Sequence, residues 1–227
     1  VINSDSMQVY ENLKILTARP KKLEQKNIPH FLYGYIDGKE RYNVDKWCNA
    51  ATKVILETFK NNLTPILVGG TGLYIQTLIN GLIDIPNIPE RIKDESEKII
   101  REFGKSFLIN QIKNFDPISL KEVNHNDTVR LRRIWEVFES SGKKFSEWKL
   151  NKNKKFLENY NFKIFLILPD REKNYNIVNS RFIKMINSGA IEEVKKLLQL
   201  NLSDTLPVMR AHGVPEIKSY LNGKISK

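Results

Sequence analysis

Apolar residues follow two different rhythms along the first third of this chain. Between Val44 and Phe59 they recur at helical spacing, with Trp47, Ala51, Val54, Ile55 and Thr58 on one face, which predicts an amphipathic helix ended by Asn61-Asn62-Leu63. Pro65-Ile66-Leu67-Val68 is instead a short unbroken apolar run bounded by Gly69-Gly70, the pattern of a buried strand. Leu73, Ile75, Leu78 and Ile79 then return to helical spacing behind Thr71, and that helix stops at Gly81. Strand, glycine turn and helix in this order predict an α/β fold. Val1-Ile2-Asn3-Ser4 also reads as the inside of a strand, with Asp5 at its carboxyl end and Ser6 to Tyr10 turning away. The mostly polar stretch from Glu11 to Lys26 predicts irregular structure, and Ile28 to Tyr33 gives one more apolar run.

From Ile83 to about Asn161 the texture changes. A proline-punctuated stretch, Pro86 to Pro89, leads into charged helical segments, and no strand is expected before Phe162-Lys163-Ile164-Phe165-Leu166-Ile167-Leu168. Pro169-Asp170-Arg171 follows that strand and opens a long helix carrying Val178, Phe182, Met185 and Ile186. The pattern predicts a helical unit inserted between two halves of an α/β core, with no internal repeat.

Composition narrows the class. The 227 residues are 41% apolar and 28% charged, as in soluble globular proteins, and no apolar run is long enough for a membrane span. Cys48 is the single cysteine, which excludes an intrachain disulfide and makes a reducing cytoplasm the expected setting. His30, His125 and His212 are scattered, and no spacing points to zinc. The net charge of +11 favours polyanions, nucleic acid above all, although a chain rich throughout in Lys, Asn and Ile reaches such a surplus through genome bias alone.

Three stretches carry candidate chemistry, each with a plain alternative. Gly69-Gly70-Thr71-Gly72 follows a strand and opens a helix, where glycine amides and the helix terminus favour an anion; it is equally a tight turn with Thr71 as its cap. Asp5-Ser6 lies at the strand edge where open α/β sheets place ligands, so Asp5 is a candidate base or holder of a metal-bound water, or simply a turn former. In Asn126-Asp127-Thr128-Val129-Arg130-Leu131-Arg132-Arg133, Asp127 or Thr128 caps a helix whose Arg130 and Arg133 share a face, while Arg132 pairs with Glu136 one turn on. That face suits phosphate, or is a solvated basic surface. Gly104-Lys105-Ser106 imitates the end of a P-loop, but Ile99 stands where its first glycine belongs, so a helix terminus is expected there.

Taken together these motifs resemble the bacterial tRNA dimethylallyltransferases (tRNA isopentenyltransferases). Asp5-Ser6-Met7-Gln8-Val9-Tyr10 and Thr17-Ala18-Arg19-Pro20 are similar to the family's DSxQxY…TAKP segment, Pro29-His30-Phe31-Leu32 to PHHL, and Pro65 through Tyr74 to PILVGGTGLY. Asn126-Asp127, Arg130, Arg133 and Glu136-Val137 resemble NDxxRxxRxLEV. Arg171, Arg181, Met185, Gly189, Glu193-Val194, Gly213 and Glu216 resemble the later segments. The resemblance runs from Val1 to Ser226.

It implies a P-loop-kinase-like parallel-sheet core of residues 1–82 and 161–227 with a helical insertion of 83–160. The implied reaction moves a dimethylallyl group from its diphosphate to N6 of the adenosine 3′ of the anticodon in tRNA. Asp5 resembles the general base and Thr71 the threonine beside the channel and the tRNA. Asp5, Ser6, Met7, Gln8, Thr71, Lys93, Val129, Arg130, Leu131, Arg132 and Arg133 are the implied tRNA contacts. The implied partners are a tRNA anticodon stem-loop and dimethylallyl diphosphate, with Mg²⁺ as cofactor, no membrane, and a monomeric state. The family's first strand and its GPTxSGKS loop have no counterpart among the 227 residues, nor does its KRQxTW-type helix, and Asn174 and Ile177 replace a family Leu and Arg. The chain by itself is therefore expected to be inactive, with its diphosphate and Mg²⁺ site incomplete. A non-catalytic tRNA-binding remnant and a nucleotide or small-molecule kinase are the rival readings.

Overall fold

The computed structural model describes residues 1–151 and 153–226. They form two compact units, one made of Val1–Ile79 with Phe156–Lys227 and the other of Asn80–Lys155. The inserted unit expected over 83–160 thus runs from 80 to 155.

The first unit begins with β1 (Ile2–Asn3), α1 (Val44–Lys60), β2 (Leu67–Val68) and α2 (Gly72–Asn80). β1 and β2 are parallel, with Ile2 opposite Leu67 and Asn3 opposite Val68. Alternate amides of β1 serve opposite neighbours: Ile2 and Ser4 donate to the carbonyls of Ile66 and Val68, Asn3 to that of Phe31. β1 is therefore central, and the apolar run around Phe31 reaches the sheet on its far side. α1 forms because Asn43 Oδ1 accepts the Lys46 amide at 2.9 Å, Asp45 sits in its first turn, and Trp47, Cys48, Ala51 and Ile55 share its buried face. Trp47 joins helix to sheet, since its Nε1 donates to Asn3 O at 2.9 Å and its ring stacks on Tyr74 at 4.5 Å. The run Pro65 to Val68 was expected to be buried, yet Ile66 and Val68 are 57% and 49% exposed. β2 is bonded only along its β1 side among the described residues; Leu67 packs on the core, while the face carrying Ile66 and Val68 lacks cover.

The second unit contains β3 (Leu82–Ile83), α3 (Glu90–Phe115), α4 (Pro117–Lys121), α5 (Thr128–Ser141), α6 (Phe145–Trp148) and β4 (Asn153–Lys154). Where no strand was expected, β3 and β4 pair antiparallel, Leu82 opposite Lys154 and Ile83 opposite Asn153. Ile92, Leu108 and Ile112 of α3 pack with Leu131, Ile134 and Val137 of α5 in a separate core. Gly104 has φ +73° and divides α3 into two helical segments, so the Gly104-Lys105-Ser106 stretch marks a helix break. Asp127 caps α5, its Oδ1 accepting the Arg130 amide at 3.0 Å.

The chain then returns to the first unit with α7 (Arg171–Asn187), α8 (Ala190–Gln199), a 3-10 turn at Pro207–Arg210 and α9 (Val214–Leu221). The strand expected over Phe162 to Leu168 does not form. Its backbone finds no sheet partner among the described residues, and Ile164 to Leu168 are 71% to 87% exposed. An apolar run expresses a need for burial on both faces, but a strand also needs a neighbouring backbone, and none of the described residues supplies one. α7 forms behind Asp170, whose Oδ1 accepts the Lys173 amide, although none of its residues is buried. In α8, Ala190, Val194 and Leu197 enter the core, while Glu193 accepts the amides of Lys14, Ile15 and Leu16 at 2.7–3.1 Å. This carboxylate anchors Lys14 to Leu16 within the otherwise irregular 11–26 segment. No described helix is long and apolar enough to cross a membrane.

Candidate functional site

Asp5 stands where β1 ends, and its place is set by the residue two before it. Asn3 is fully buried, accepts the Asp5 amide on Oδ1 at 2.9 Å, and donates through Nδ2 to the carbonyls of Asp5 and Leu32 at 3.0 Å each. Asp5 Oδ1 in turn accepts the amides of Met7 and Gln8 at 2.8 and 3.1 Å, which shapes the turn. Oδ2 makes no hydrogen bond within the described residues. The turn-forming reading of Asp5 thus accounts for one of its two oxygens.

The glycine segment comes to the same place. An added Cβ on Gly69 would lie 2.4 Å from the Ser4 backbone carbon, so only glycine lets β2 end so close to β1, whereas Gly70 and Gly72 face open space. Thr71 N donates to Ser4 O at 3.2 Å. Thr71 Oγ1 accepts the Ser6 amide at 2.9 Å and donates to Ser6 Oγ at 3.3 Å. That hydroxyl serves Ser6, not the first turn of α2. The structure therefore brings Asp5, Ser6 and Thr71 together. Met7 packs on the core beside them, and Gln8 Nε2 donates to the Thr17 carbonyl at 2.8 Å.

Two tyrosines, Tyr33 and Tyr74, feel the Asp5 carboxylate. Burial, and then the Asp5 carboxylate, pushes Tyr33 up; burial, with Tyr42, Tyr10 and Asp5 behind it, pushes Tyr74 up. Tyr35 is pushed up to about 12 by burial, and Tyr42, hydrogen-bonded to it, and Tyr10 are also raised, chiefly by burial. In each case the folded value exceeds the ordinary 10.0, so the stability these phenols contribute is whole below pH 10 and is lost as pH rises above 10 through each raised folded value, about 12 for Tyr35. Alkaline titration of phenolate absorbance should show these groups ionising later in the native protein than in urea, with the urea midpoint falling over that interval. Native and unfolded curves that coincide would contradict it.

The remaining candidates belong to the inserted unit. Lys93 Nζ pairs with Glu90 at 2.6 Å. Val129 is exposed, and Arg130, also exposed, pairs through Nε with Asp127 at 3.3 Å. Leu131 is wholly buried in the core, so its side chain has no surface to offer RNA. Arg132 also turns inward: it donates to Ser96 Oγ at 2.8 Å and Lys93 O at 3.2 Å, and pairs with Glu97 at 3.0 Å and Glu136 at 3.3 Å. It ties α3 to α5. Arg133 lines a surface cavity with Arg130.

No three His, Cys, Asp or Glu side chains cluster among the described residues. The carboxylate at this junction is Asp5, whose Oδ1 already accepts two backbone amides.

Comparison with known proteins assigns the chain. The family model described as IPP transferase matches residues 8–227. The tRNA dimethylallyltransferase of Wolbachia sp. subsp. Drosophila simulans (strain wRi) is 42% identical over 226 residues, covering 100% of this chain and 75% of that protein. The one from Ehrlichia ruminantium (strain Welgevonden) is 39% identical, covering 100% and 74%. Among solved structures, the full-length tRNA isopentenylpyrophosphate transferase of Bacillus halodurans matches with TM-score 0.65 and 28% identity over 99% of this chain and 69% of that one. A eukaryotic dimethylallyltransferase acting on tRNA matches with TM-score 0.78 and 27% identity over 98% and 57%. Match over nearly the whole length, at identities near 40%, means that this chain is a member of the IPP transferase family.

Proposed function

We propose that the chain modifies tRNA by moving a dimethylallyl group from dimethylallyl diphosphate to the exocyclic amine of the adenosine 3′ of the anticodon. The observation that carries this reading is the Asp5–Thr71 junction, a carboxylate oxygen without a hydrogen-bond partner among the described residues, next to paired hydroxyls at the carboxyl end of a parallel sheet. Family membership supplies the reaction class.

The adenine amine is a weak nucleophile because its lone pair is delocalised into the ring. As that nitrogen bonds to the allylic carbon, the carbon–oxygen bond to diphosphate breaks and Asp5 Oδ2 takes the proton, so the nitrogen never carries a full positive charge. Ser6 and Thr71 orient the site, and the open backbone at Gly70 and Gly72 leaves room beside it.

Labelled dimethylallyl diphosphate and an unmodified anticodon stem-loop test the reading. Transfer is scored for the chain as it stands and with a GPTxSGKS-bearing segment joined ahead of Val1. Label should enter RNA that carries adenosine 3′ of the anticodon and not RNA with guanosine there. RNA binding with no label in either arm would leave a binding protein and refute the transferase.

A further inference from the structure

The backbone ladder on the far side of β1 is interrupted where Asp5 stands, and the interruption is matched on the facing strand. Asn3 N donates to Phe31 O at 3.0 Å, and the next rung is Gly34 N to Gln8 O at 2.8 Å. Between these rungs residues 4–7 and 32–33 leave this ladder opposite each other. Leu32 has φ +64° and Gly34 φ +55°, so Tyr33 is the crest of a bulge with a left-handed residue on either side. A leucine in that region is strained, and such strain persists only where the surroundings impose it. Here they do. Asn3 Nδ2 holds Asp5 O and Leu32 O at 3.0 Å each, and the Arg19 guanidinium fills the space beside Gly34, where an added Cβ would lie 1.2 Å from Nη1.

The bulge sets Tyr33 next to Asp5, because the Asn3 side chain that holds the Asp5 carbonyl also holds the carbonyl of the Leu32–Tyr33 peptide. The half-buried Tyr33 ring rests 5.7 Å from that of His30, tilted by 45°. Its hydroxyl makes no hydrogen bond among the described residues, and Asp5 is the one charge among them that acts on it, adding to burial in holding its proton. Tyr74 also feels Asp5, but it is 4% exposed and stacked on Trp47, so it is closed to a ligand. The junction therefore offers an unpaired acceptor, Asp5 Oδ2, and an unpaired donor, the Tyr33 phenol.

We propose that Tyr33 is a specificity residue for the base: its hydroxyl donates to N1 of the adenine while Asp5 Oδ2 accepts from the exocyclic amine. This rests on the transferase reading above. Adenine sets an acceptor, N1, beside a donor amine, which matches a phenol beside a carboxylate. Guanine reverses both, bringing O6 against the carboxylate and N1–H against the phenol. A site built to hydrogen-bond one pattern rejects the other more strongly than shape alone does, since its own polar groups are then left unpaired.

Tyr33→Phe keeps the ring and removes the hydroxyl alone. On the form that transfers label, it should lower single-turnover transfer to adenosine-bearing RNA about fivefold, the share of one neutral hydrogen bond. RNA with 1-deazaadenosine 3′ of the anticodon removes the acceptor instead. It should slow the parent about fivefold more than it slows Tyr33→Phe, and any effect of the analogue on the amine itself cancels between the two proteins. 7-Deazaadenosine should affect both alike. If Tyr33 merely rests on His30, Phe is silent with every base; that result overturns the proposal, as does an equal 1-deaza effect in the two proteins. A titration needs no activity: the phenolate absorbance of the chain minus that of Tyr33→Phe follows Tyr33, and in an Asp5→Asn background this difference should titrate at lower pH. An unmoved transition overturns the adjacency. Label in no form refutes the transferase reading and adenine recognition with it, while the titration still decides whether the phenol faces Asp5.

Discussion

Asp5→Asn should lower the single-turnover rate of dimethylallyl transfer by about 10²–10⁴-fold, the usual contribution of a general base, while leaving RNA affinity nearly unchanged. The geometry makes this substitution unusually clean. Asn keeps an oxygen at the Oδ1 position, where the Met7 and Gln8 amides donate, so the turn survives. Only the free Oδ2 becomes an amide, which cannot take a proton. If Asp5 served the turn alone, Asn would replace it almost silently, since the two residues cap and turn about equally well. Single-turnover transfer and an RNA titration, both made on the form that transfers label, separate the accounts. A near-parental rate would leave the base unidentified.

Arg132→Ala should destabilise the inserted unit by about 3–5 kcal/mol, the usual cost of removing one member of a buried charged pair. Glu136 is 7% exposed and Ser96 fully buried, and both depend on this guanidinium. Its loss leaves a carboxylate in a nearly dry site with Ser96 Oγ as its one remaining hydrogen-bond partner among the described residues, and the electrostatic pull of Arg133 besides. Pairing Arg132→Met with Glu136→Leu should recover much of the stability, because apolar replacement of both partners removes the buried charge. Urea unfolding of the two variants checks this. A loss under 1 kcal/mol for Arg132→Ala would mean that the network is hydrated and contributes little.

How far the sequence discloses this molecule depends on which physical constraint is local. α1 and α5 were legible because spacing and capping residues lie within one or two turns of each other, and Asp127 was a nameable cap for that reason. The Asp5–Thr71 junction was legible only as two motifs matched to a family; nothing within either segment says that they touch. Phe162 to Leu168 misled because hydropathy reports a need for burial, whereas strand formation depends on a second backbone. The arginine motif named charges but not directions, so Arg132 and Leu131 were grouped with Arg130 although both point inward. Asn3 had a visible signal, a polar residue inside an apolar strand, and its grip on Asp5 was missed.

The pairing of β3 with β4 bears on the order of folding. The first unit is built from two stretches separated by the whole of Asn80–Lys155, and joining them through a disordered loop of that length would carry a closure entropy that grows with the logarithm of the loop. The intervening residues are contiguous and have their own core. Once that core forms and Leu82–Ile83 lies against Asn153–Lys154, the two ends of the insertion are held side by side, and the flanking stretches search for each other as though joined by a short tether. The clasp thus turns a slow long-range encounter into a near-local one, and loosening it would act on the rate of assembly before it touched the chemistry of Asp5.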